Sequence, residues 1–206
     1  MLLSRDAMKH YNNKLVWGIG INDTNHNTTK EYVNGKRIRC PIYTNWKDML
    51  RRCRSEVFHQ KYPTYIGCTV ADEWIHFSDF FTWYQQESPP QGYQLDKDLL
   101  YPGNKVYSPN TCIFVPRHIN LLLRGSQSHT TLPVGVYKRG NRFVAVCKVN
   151  SQSIYLGSYS TPQEAHHAYS QYKVQVVQKE INQQLNPKLK QALQHWIHIL
   201  QQGEYV

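Results

Sequence analysis

Acidic residues are missing from a long part of this chain of 206 residues. From Leu99 to Gln163 there is no Asp or Glu. The same stretch contains seven cationic side chains: Lys105, Arg117, Arg124, Lys138, Arg139, Arg142 and Lys148. The net charge of +10 favours a polyanionic partner, because cations that neutralise phosphates release counterions. A basic balance is also typical of ribosomal, membrane-surface and heparin-binding proteins, but the concentration of charge in one stretch favours nucleic acid.

Long apolar runs are also missing. No segment approaches the roughly 18 consecutive apolar residues that a membrane helix requires. The chain begins MLLSRDAMKHYNNK, which lacks the apolar core of a secretory signal. We therefore expect no membrane partner and a cytoplasmic location. The apolar fraction of 40%, with 15 Tyr and 5 Trp, argues for a folded protein.

The sequence has few cysteines, and none of them form a Cys-x-x-Cys pair, so a zinc site of ordinary spacing is not indicated. The five cysteines are Cys40, Cys53, Cys68, Cys112 and Cys147. We expect buried, reduced thiols that act as small apolar side chains. A spatial cluster of Cys53, Cys68 and Cys112 with a histidine stays open as an alternative.

The first part of the chain predicts short strands and two helices. Alternation favours strands near Leu15–Ile21 and Lys36–Pro41, and Asn34-Gly35 is a hairpin turn signal. Asn45 is expected to cap a helix over Trp46–Arg54. A short strand near Thr69–Val70 and an aromatic helix over Trp74–Gln85 follow.

The helix over Trp46–Arg54 carries Arg51, Arg52 and Arg54 away from its apolar positions. These arginines have two interpretations of equal weight. They form either a solvated helix face or a surface that grips phosphates.

The last part of the chain predicts a three-stranded antiparallel sheet followed by helices. Three short runs separated by turns cover Gly135–Lys138, Arg142–Val149 and Ser153–Tyr159. Thr161-Pro-Gln-Glu164 predicts a capping box that opens a helix through about Gln183. A final helix after Asn186-Pro187 has an apolar stripe that packs on its own domain or allows a homodimer. The fold class is α+β, with domains at residues 1–124 and 132–206 and a polar junction between them.

Two carboxylates mark a candidate metal site. Asp96 and Asp98 lie two positions apart, so on an extended strand both face one side. Acidic oxygen donors suit a hard cation such as Mg²⁺, or Mn²⁺ in its place. The alternative is a surface hairpin whose Asp and Asn residues serve turn chemistry.

Residues Leu132–Glu180 resemble the ethylene-response-factor (APETALA-type) DNA-binding domain. The resemblance rests on Gly135-Val-Tyr-Lys-Arg, Arg142-Phe-Val-Ala, Tyr155-Leu-Gly-Ser-Tyr and Thr161-Pro-Gln-Glu-Ala. In that family the sheet lies in the major groove of double-stranded DNA. The resemblance therefore implies that the following residues contact DNA: Tyr137, Lys138, Arg139, Arg142, Lys148 and Tyr155.

The segment from Trp46 to Asn120 resembles phage HNH-like endonucleases. It has Trp46-x-x-Met49-x-x-Arg52-Cys53 and the run QLDKDLLYPGNKVYSPNTC. The resemblance implies a ββα-metal fold with one divalent ion, bound by Asp98 with Asn120, and Asp96 is a further candidate ligand. Lys97 and Asp98 stand where a catalytic histidine is usual, so the general base stays open among His118, Asp98 acting through a water, and Tyr107. Lys97, Lys105 and Arg117 are expected to hold adjacent phosphates.

Together these features predict a phage HNH-type homing endonuclease that binds double-stranded DNA and hydrolyses its phosphodiesters. Its location is then the host cell cytoplasm. The alternative is a DNA-binding regulator that keeps the fold without the chemistry. A third class is a scaffold or RNA-contacting protein that uses the same basic surface.

Overall fold

The computed structural model describes residues 15–25, 31–33, 36–38, 40–123 and 131–202. It has an α+β architecture and divides into two compact units, Met1–Phe114 and Val115–Val206. The division falls before the helix Arg117–Leu123, which belongs to the second unit. The proposed junction that follows this helix includes residues 124–130, which lie outside the described residues.

The first unit contains three α-helices and several short strands within its described residues. The helices are α1 (Pro41–Arg54), α2 (Glu56–Lys61) and α3 (Phe77–Glu87). Its strands are β1 (Glu31–Val33), β2 (Lys36–Ile38), β3 (Thr69–Val70), β4 (Tyr93–Asp96), β5 (Val106–Tyr107) and β6 (Ile113–Pro116). Short 3₁₀ helices cover Pro63–Tyr65 and Asp72–Trp74. β1 pairs antiparallel with β2, and β3 pairs in parallel with β5. β4 pairs with β6, whose first residues, Ile113 and Phe114, end the unit.

Two predictions for the start of the chain are wrong: the strand at Leu15–Ile21 and the helix cap at Asn45. Leu15–Ile21 forms a tight turn instead of a strand: Val16 and Gly20 pair across it, and Trp17 has a φ of 55°. The partner of β2 is therefore β1. The turn Asn34-Gly35 lies outside the described residues.

The expected cap at Asn45 is also wrong, because α1 begins four residues earlier at Pro41, with Cys40 as its N-cap. Proline suits the first helical position, where its missing N–H leaves no hydrogen bond unmade. Asn45 lies inside the helix, and its Nδ2 donates to the Pro41 carbonyl at 2.9 Å.

An aromatic core holds the first unit together. Trp46, Trp74, Phe77 and Phe80 are almost completely buried. The indole N–H of Trp46 donates to the Trp74 carbonyl at 2.8 Å, so this buried polar group is satisfied. The aromatic stripe of α3 is thus core, as its helical spacing predicted.

The second unit contains the predicted meander and helices. After α4 (Arg117–Leu123) come β7 (Val136–Arg139), β8 (Arg142–Val149) and β9 (Gln152–Tyr159), paired antiparallel in that order. α5 (Pro162–Gln183) follows, and α6 (Pro187–Gln202) ends the described chain. The capping box at Thr161 and Glu164 is confirmed by hydrogen bonds in both directions.

One face of the sheet packs on α5 through a small core of Val136, Ala145 and Ala165. Gly135 lets the chain approach this helix closely. It has a φ of +79°, and a Cβ at this position would lie 2.1 Å from the Tyr169 ring. Both the backbone conformation and the space require glycine.

α6 packs on α5 within the same chain. Its apolar stripe, made of Leu189, Ala192, Leu193, Trp196 and Leu200, is buried. A homodimer through this helix stays a prediction, and it would have to use other faces of the helix. Within the described part of the chain, no helix is long and apolar enough to cross a membrane.

Candidate nucleic-acid interface and acidic loop

The outer face of the sheet in the second unit brings together five of the side chains that the sequence predicted to contact DNA. They are Tyr137, Arg139, Arg142, Lys148 and Tyr155. Side chains alternate between the two faces along a strand, so the register decides which face each one occupies. The buried pair Val136 and Ala145 marks the inner face.

The neighbouring positions therefore define the outer face. Tyr137 pairs with Val144, and Arg139 with Arg142. Lys148 lies an even number of positions from Arg142 on β8 and has the same orientation. Tyr155 pairs with Val146, which is also on the outer side. The pairing of β8 with β9 shifts between Ala145 and Val146, where there is a bulge. Tyr155 therefore faces outward opposite Val146, although Gly157, two positions later, pairs with inward-facing Ala145.

The outer face is cationic and aromatic. Tyr137 and Tyr155 are 56% and 63% exposed, although large aromatic side chains usually find cover. Arg139 and Arg142 lie directly opposite each other on neighbouring strands. Like charges in this position destabilise a sheet. Such an arrangement suits a surface that meets a negatively charged partner.

Arg142 is oriented by the neighbouring strand. Its Nε donates to Ser158 Oγ at 3.1 Å and its Nη2 to the Ser158 carbonyl at 2.6 Å. These bonds hold the guanidinium on the side of β9, while Arg139 belongs to β7. The charge of Arg142 is thus fixed over the face without an acidic partner, since the sheet contains no Asp or Glu.

Two further predicted DNA contacts of the second unit lie elsewhere. Lys138 is exposed but pairs with Phe143, so its position belongs to the side that faces α5. Arg117 is exposed on α4 and lines a cavity of about 560 Å³ together with Lys148, Leu121 and Val176. Glu180 and His118 also line this cavity, so Arg117 and Lys148 share it with an acidic residue.

His118 is held by a hydrogen-bond partner on α5. Its Nε2 lies 2.9 Å from Glu180 Oε2, and its side chain is 46% exposed. Asn120, on the same helix as His118, is half-buried. Asp98 belongs to the first unit and Asn120 to the second, so the pairing of these residues around an ion stays a prediction.

In the first unit, the strand that was expected to carry both carboxylates ends at Asp96. The Oδ1 of Asp96 accepts hydrogen bonds from the backbone N–H groups of Asp98 and Leu99, at 2.8 and 2.7 Å. The chain turns here, so the extended backbone that would place Asp98 on the same face as Asp96 is not present. Burial raises the pKa of Asp96, and the two N–H donors counteract part of that rise.

Lys97 is almost completely buried, with 5% of the residue exposed. Its Nζ donates to Asp98 Oδ1 at 2.7 Å and to the Asn104 carbonyl at 2.6 Å. The ammonium that was expected to hold a DNA phosphate is therefore used inside the loop. The Asp98 side chain is 48% exposed.

Asn104 closes this loop, which we call the acidic loop (residues 96–104). Its Nδ2 donates to the carbonyls of Lys97 and Val106, at 2.8 and 2.7 Å, and its Oδ1 accepts from the Val106 N–H. The sequence identified a Gly-Asn turn here, but it did not indicate the bonds across the loop. Sequence reasoning therefore missed Asn104 as the residue that positions Lys97 and Asp98.

The neighbouring cations of the first unit also have partners within it. Lys105 Nζ donates to the Thr64 carbonyl at 2.6 Å. Arg51 pairs with Asp48, and Arg52 lies over the Tyr65 ring and donates to Tyr107 Oη. Because of these contacts, Arg51 and Arg52 match neither of the two interpretations given above, a simple solvated helix face or a surface left open to phosphates.

Tyr107 is wrong as a candidate general base. The residue is 1% exposed, and burial raises its pKa well above the ordinary value even though Arg52 lies beside it. A phenol in this environment stays protonated near neutral pH and cannot accept a proton.

A second polar cluster in the first unit was not indicated by any sequence motif. Asp23 Oδ1 accepts from the Ser78 N–H at 2.9 Å, and its Oδ2 accepts from Ser78 Oγ at 2.7 Å and lies 3.1 Å from His76 Nδ1. Burial acts to raise the pKa of Asp23, but the bonds from Ser78 outweigh it and lower the pKa. Asp23 thus caps the N-terminus of α3 from a distant loop.

The cysteines behave as expected within the described residues: none forms a disulfide, and all except half-buried Cys40 are buried. Burial raises the pKa of Cys53 and of Cys112 to about 12. In the described ranges there is no group of three or more His, Cys, Asp or Glu side chains that could hold a metal ion. The alternative of a Cys53, Cys68, Cys112 and His cluster is therefore not supported.

The residues of the acidic loop do not fit a divalent ion as they are arranged. The Oδ1 of Asp96 accepts from two backbone N–H groups, and the Oδ1 of Asp98 already accepts from a lysine ammonium. Mg²⁺ requires oxygen donors at about 2.0–2.1 Å in near-octahedral geometry, and a cation beside that site opposes it.

No family model matches this chain, and no curated protein or solved structure matches it.

Proposed function

We propose that this protein binds double-stranded DNA through the outer face of the sheet in its second unit. The observation that carries the proposal is the common orientation of Arg139, Arg142 and Lys148 on a face with two exposed tyrosines. The major groove admits secondary structure such as an α-helix or a two-stranded β-ribbon, and the family that this segment resembles places its sheet there. Arginine and lysine supply phosphate and guanine contacts, and the absence of carboxylates removes repulsion.

The resemblance to the ethylene-response-factor domain supports the same partner. Its motifs coincide with β7, β8, β9 and the start of α5, and the family uses the corresponding sheet to contact DNA. In this protein Tyr137 and Tyr155 occupy outer positions where the family more often has arginine or tryptophan. The base preference is therefore expected to differ from that of the family.

The proposal is tested by fluorescence anisotropy of a labelled duplex over a range of salt concentrations. Log affinity should fall against log salt with a slope of about −0.9 for each phosphate neutralised. The double variant Arg139→Ala/Lys148→Ala should lose roughly 100-fold in affinity and reduce the slope by about 2.

The matched control is Lys188→Ala/Lys190→Ala, which removes the same charge from α6 of the same unit. Its affinity should stay within about threefold of that of the wild type, because long-range charge effects are screened at physiological salt. Equal losses in the two double variants would show that only net charge matters and would refute a specific face.

A metal-dependent DNA endonuclease of the HNH-like, homing type, of phage origin, is the second candidate. One observation favours it: Asp98, the carboxylate of the HNH-like motif, is half exposed at the surface of the acidic loop. The chain order of β4, acidic loop, β6 and α4 is also the order that a ββα-metal fold implies. Mg²⁺ or Mn²⁺ belongs to this second candidate alone, which requires the Lys97 ammonium to leave the Asp98 carboxylate that it now contacts.

A plasmid-nicking assay tests the second candidate. Supercoiled DNA is incubated with protein and Mg²⁺ or Mn²⁺, and wild type is compared with Asp98→Ala. Nicking that requires both the metal and Asp98 would establish the endonuclease. Binding without nicking under every condition would leave the DNA-binding function alone.

A further inference from the structure

Lys97 is a charged side chain in a place where charge is costly. Burying an ammonium is unfavourable unless hydrogen bonds replace its water. Lys97 has two such bonds, to Asp98 Oδ1 at 2.7 Å and to the Asn104 carbonyl at 2.6 Å. The loop therefore provides a specific binding position for one positive charge.

The ammonium is bonded to Asp98, the carboxylate that a metal ion in this loop would need. In the second carboxylate of the motif, Asp96, one oxygen (Oδ1) already accepts from the backbone N–H groups of Asp98 and Leu99. An ion bound to Asp98 Oδ1 would lie within a few ångströms of the Lys97 ammonium, and like charges at that separation repel strongly.

The ammonium is also held in place. The Lys97 main chain is fixed by the bond from Asn104 Nδ2 to its carbonyl, while the ammonium is fixed by the Asn104 carbonyl. The same residue therefore restrains both ends of the lysine. A residue that is 5% exposed and hydrogen-bonded through both its carbonyl and its ammonium does not change conformation to admit an ion without a large cost in free energy.

We propose that the Lys97 ammonium is the resident cation of the acidic loop, taking the place beside Asp98 that a divalent metal would occupy. The loop then binds no divalent ion in the wild-type protein. It also follows that DNA binding by the second unit needs no metal, a consequence that rests on the proposed function.

The test measures Mn²⁺ binding to the full-length protein without DNA. The electron paramagnetic resonance signal of free Mn²⁺ is the readout of binding. Other surface groups can bind Mn²⁺, so each protein is compared with its Asp98→Asn counterpart. Wild type and Asp98→Asn should bind equal amounts. Lys97→Gln keeps a donor of similar length without the charge, and it should gain a Mn²⁺ site with an affinity at least about tenfold higher than that of wild type. That gain should disappear in Lys97→Gln/Asp98→Asn.

Two results would overturn the proposal. One is a Mn²⁺ ion bound by the wild type and lost in Asp98→Asn. The other is a Lys97→Gln protein with the circular dichroism spectrum of the wild type that gains no site. If Lys97→Gln does not fold, the comparison of wild type with Asp98→Asn still decides the question.

A measurement of DNA binding distinguishes a failure of this inference from a failure of the proposed function. Duplex affinity is measured in EDTA and in Mg²⁺ at constant ionic strength, and it should agree within about twofold. A protein that binds no DNA under either condition contradicts the proposed function but leaves the Mn²⁺ result intact. Binding that requires Mg²⁺ in the wild type but not in Asp98→Asn contradicts the resident-cation proposal.

Discussion

The cationic side chains that were expected to contact phosphates are used differently in the two units. In the first unit, Lys97 and Lys105 donate to carbonyls and a carboxylate of the same unit, at distances of 2.6–2.7 Å. In the second unit, Arg139 and Lys148 are exposed on a sheet without acidic residues.

The difference teaches that positive charge in a sequence has two uses that composition alone does not separate. One use stabilises turns and loops by satisfying buried or half-buried acceptors. The other leaves the charge available to a partner.

Gly135→Ala should have the largest effect, because the outer face depends on how the sheet packs on α5. A Cβ at position 135 would meet the Tyr169 ring at 2.1 Å in a backbone conformation that side chains rarely adopt. We expect a loss of about 3–5 kcal/mol in the free energy of unfolding, combining backbone strain with overpacking. Chemical denaturation measures it.

Gly140→Ala is the control for this glycine. It also has a positive φ, of +58°, but nothing lies within 4 Å of the added Cβ. It should cost only about 1 kcal/mol. Equal costs at the two positions would show that the contact with Tyr169 is unimportant.

Asn104→Ala tests whether the charges of the acidic loop are structural. The variant loses bonds to Lys97 and Val106, which should cost about 1–2 kcal/mol of stability. DNA affinity should not change, because the outer face lies in the other unit. Asn110→Ala removes an exposed asparagine of the same region and should cost less than about 0.5 kcal/mol. A large loss of DNA affinity in Asn104→Ala would mean that the first unit also contacts DNA.

Asp23→Asn should lower stability by about 1 kcal/mol at neutral pH, through weaker capping of α3. The pKa of Asp23 is lowered in the folded protein, so its contribution is complete above the ordinary pKa of an aspartate. It is lost as the pH falls through the folded pKa. The difference between variant and wild type should therefore shrink below about pH 4, as thermal unfolding over a pH series can show.

Asp79→Asn is the matched control for this prediction. It changes an exposed acid in the first turn of the same helix. It should cost less than about 0.5 kcal/mol and depend on salt. A difference between Asp23→Asn and wild type that persists unchanged at pH 3 would contradict the role of the ionised carboxylate.

Lys148→Ala and Lys105→Ala compare the two uses of charge directly, since both lysines are exposed and each variant removes one charge. Lys148→Ala should weaken duplex binding about tenfold, whereas Lys105→Ala should change it less than about twofold. The fluorescence anisotropy assay measures both. Similar losses would mean that the units contribute alike to DNA binding.

The sequence predicted the second unit well because its signals are local. The capping box of Thr161 and Glu164, the strand runs and the proline of α6 each lie within a few residues of what they determine. The inner and outer faces of the sheet followed from alternation, which needs no knowledge of distant contacts.

The first unit was harder to predict because distant residues decide its structure. Nothing near Asp23 in the sequence indicates that it caps a helix more than fifty residues away. Leu15–Ile21 alternates like a strand, yet it turns back on itself and Ile21 pairs with His76. For Lys97, spacing identified a charged loop but not that its ammonium is buried in it.

The facing pair of Arg139 and Arg142 has a consequence for how the protein responds to its surroundings. In the free protein these two arginines lie opposite each other on neighbouring strands and repel, and dissolved anions would reduce this repulsion in addition to the bonds from Arg142 to Ser158. Added salt would thus relax the isolated sheet while weakening its hold on a nucleic acid. Ionic strength would push folding and recognition in opposite directions.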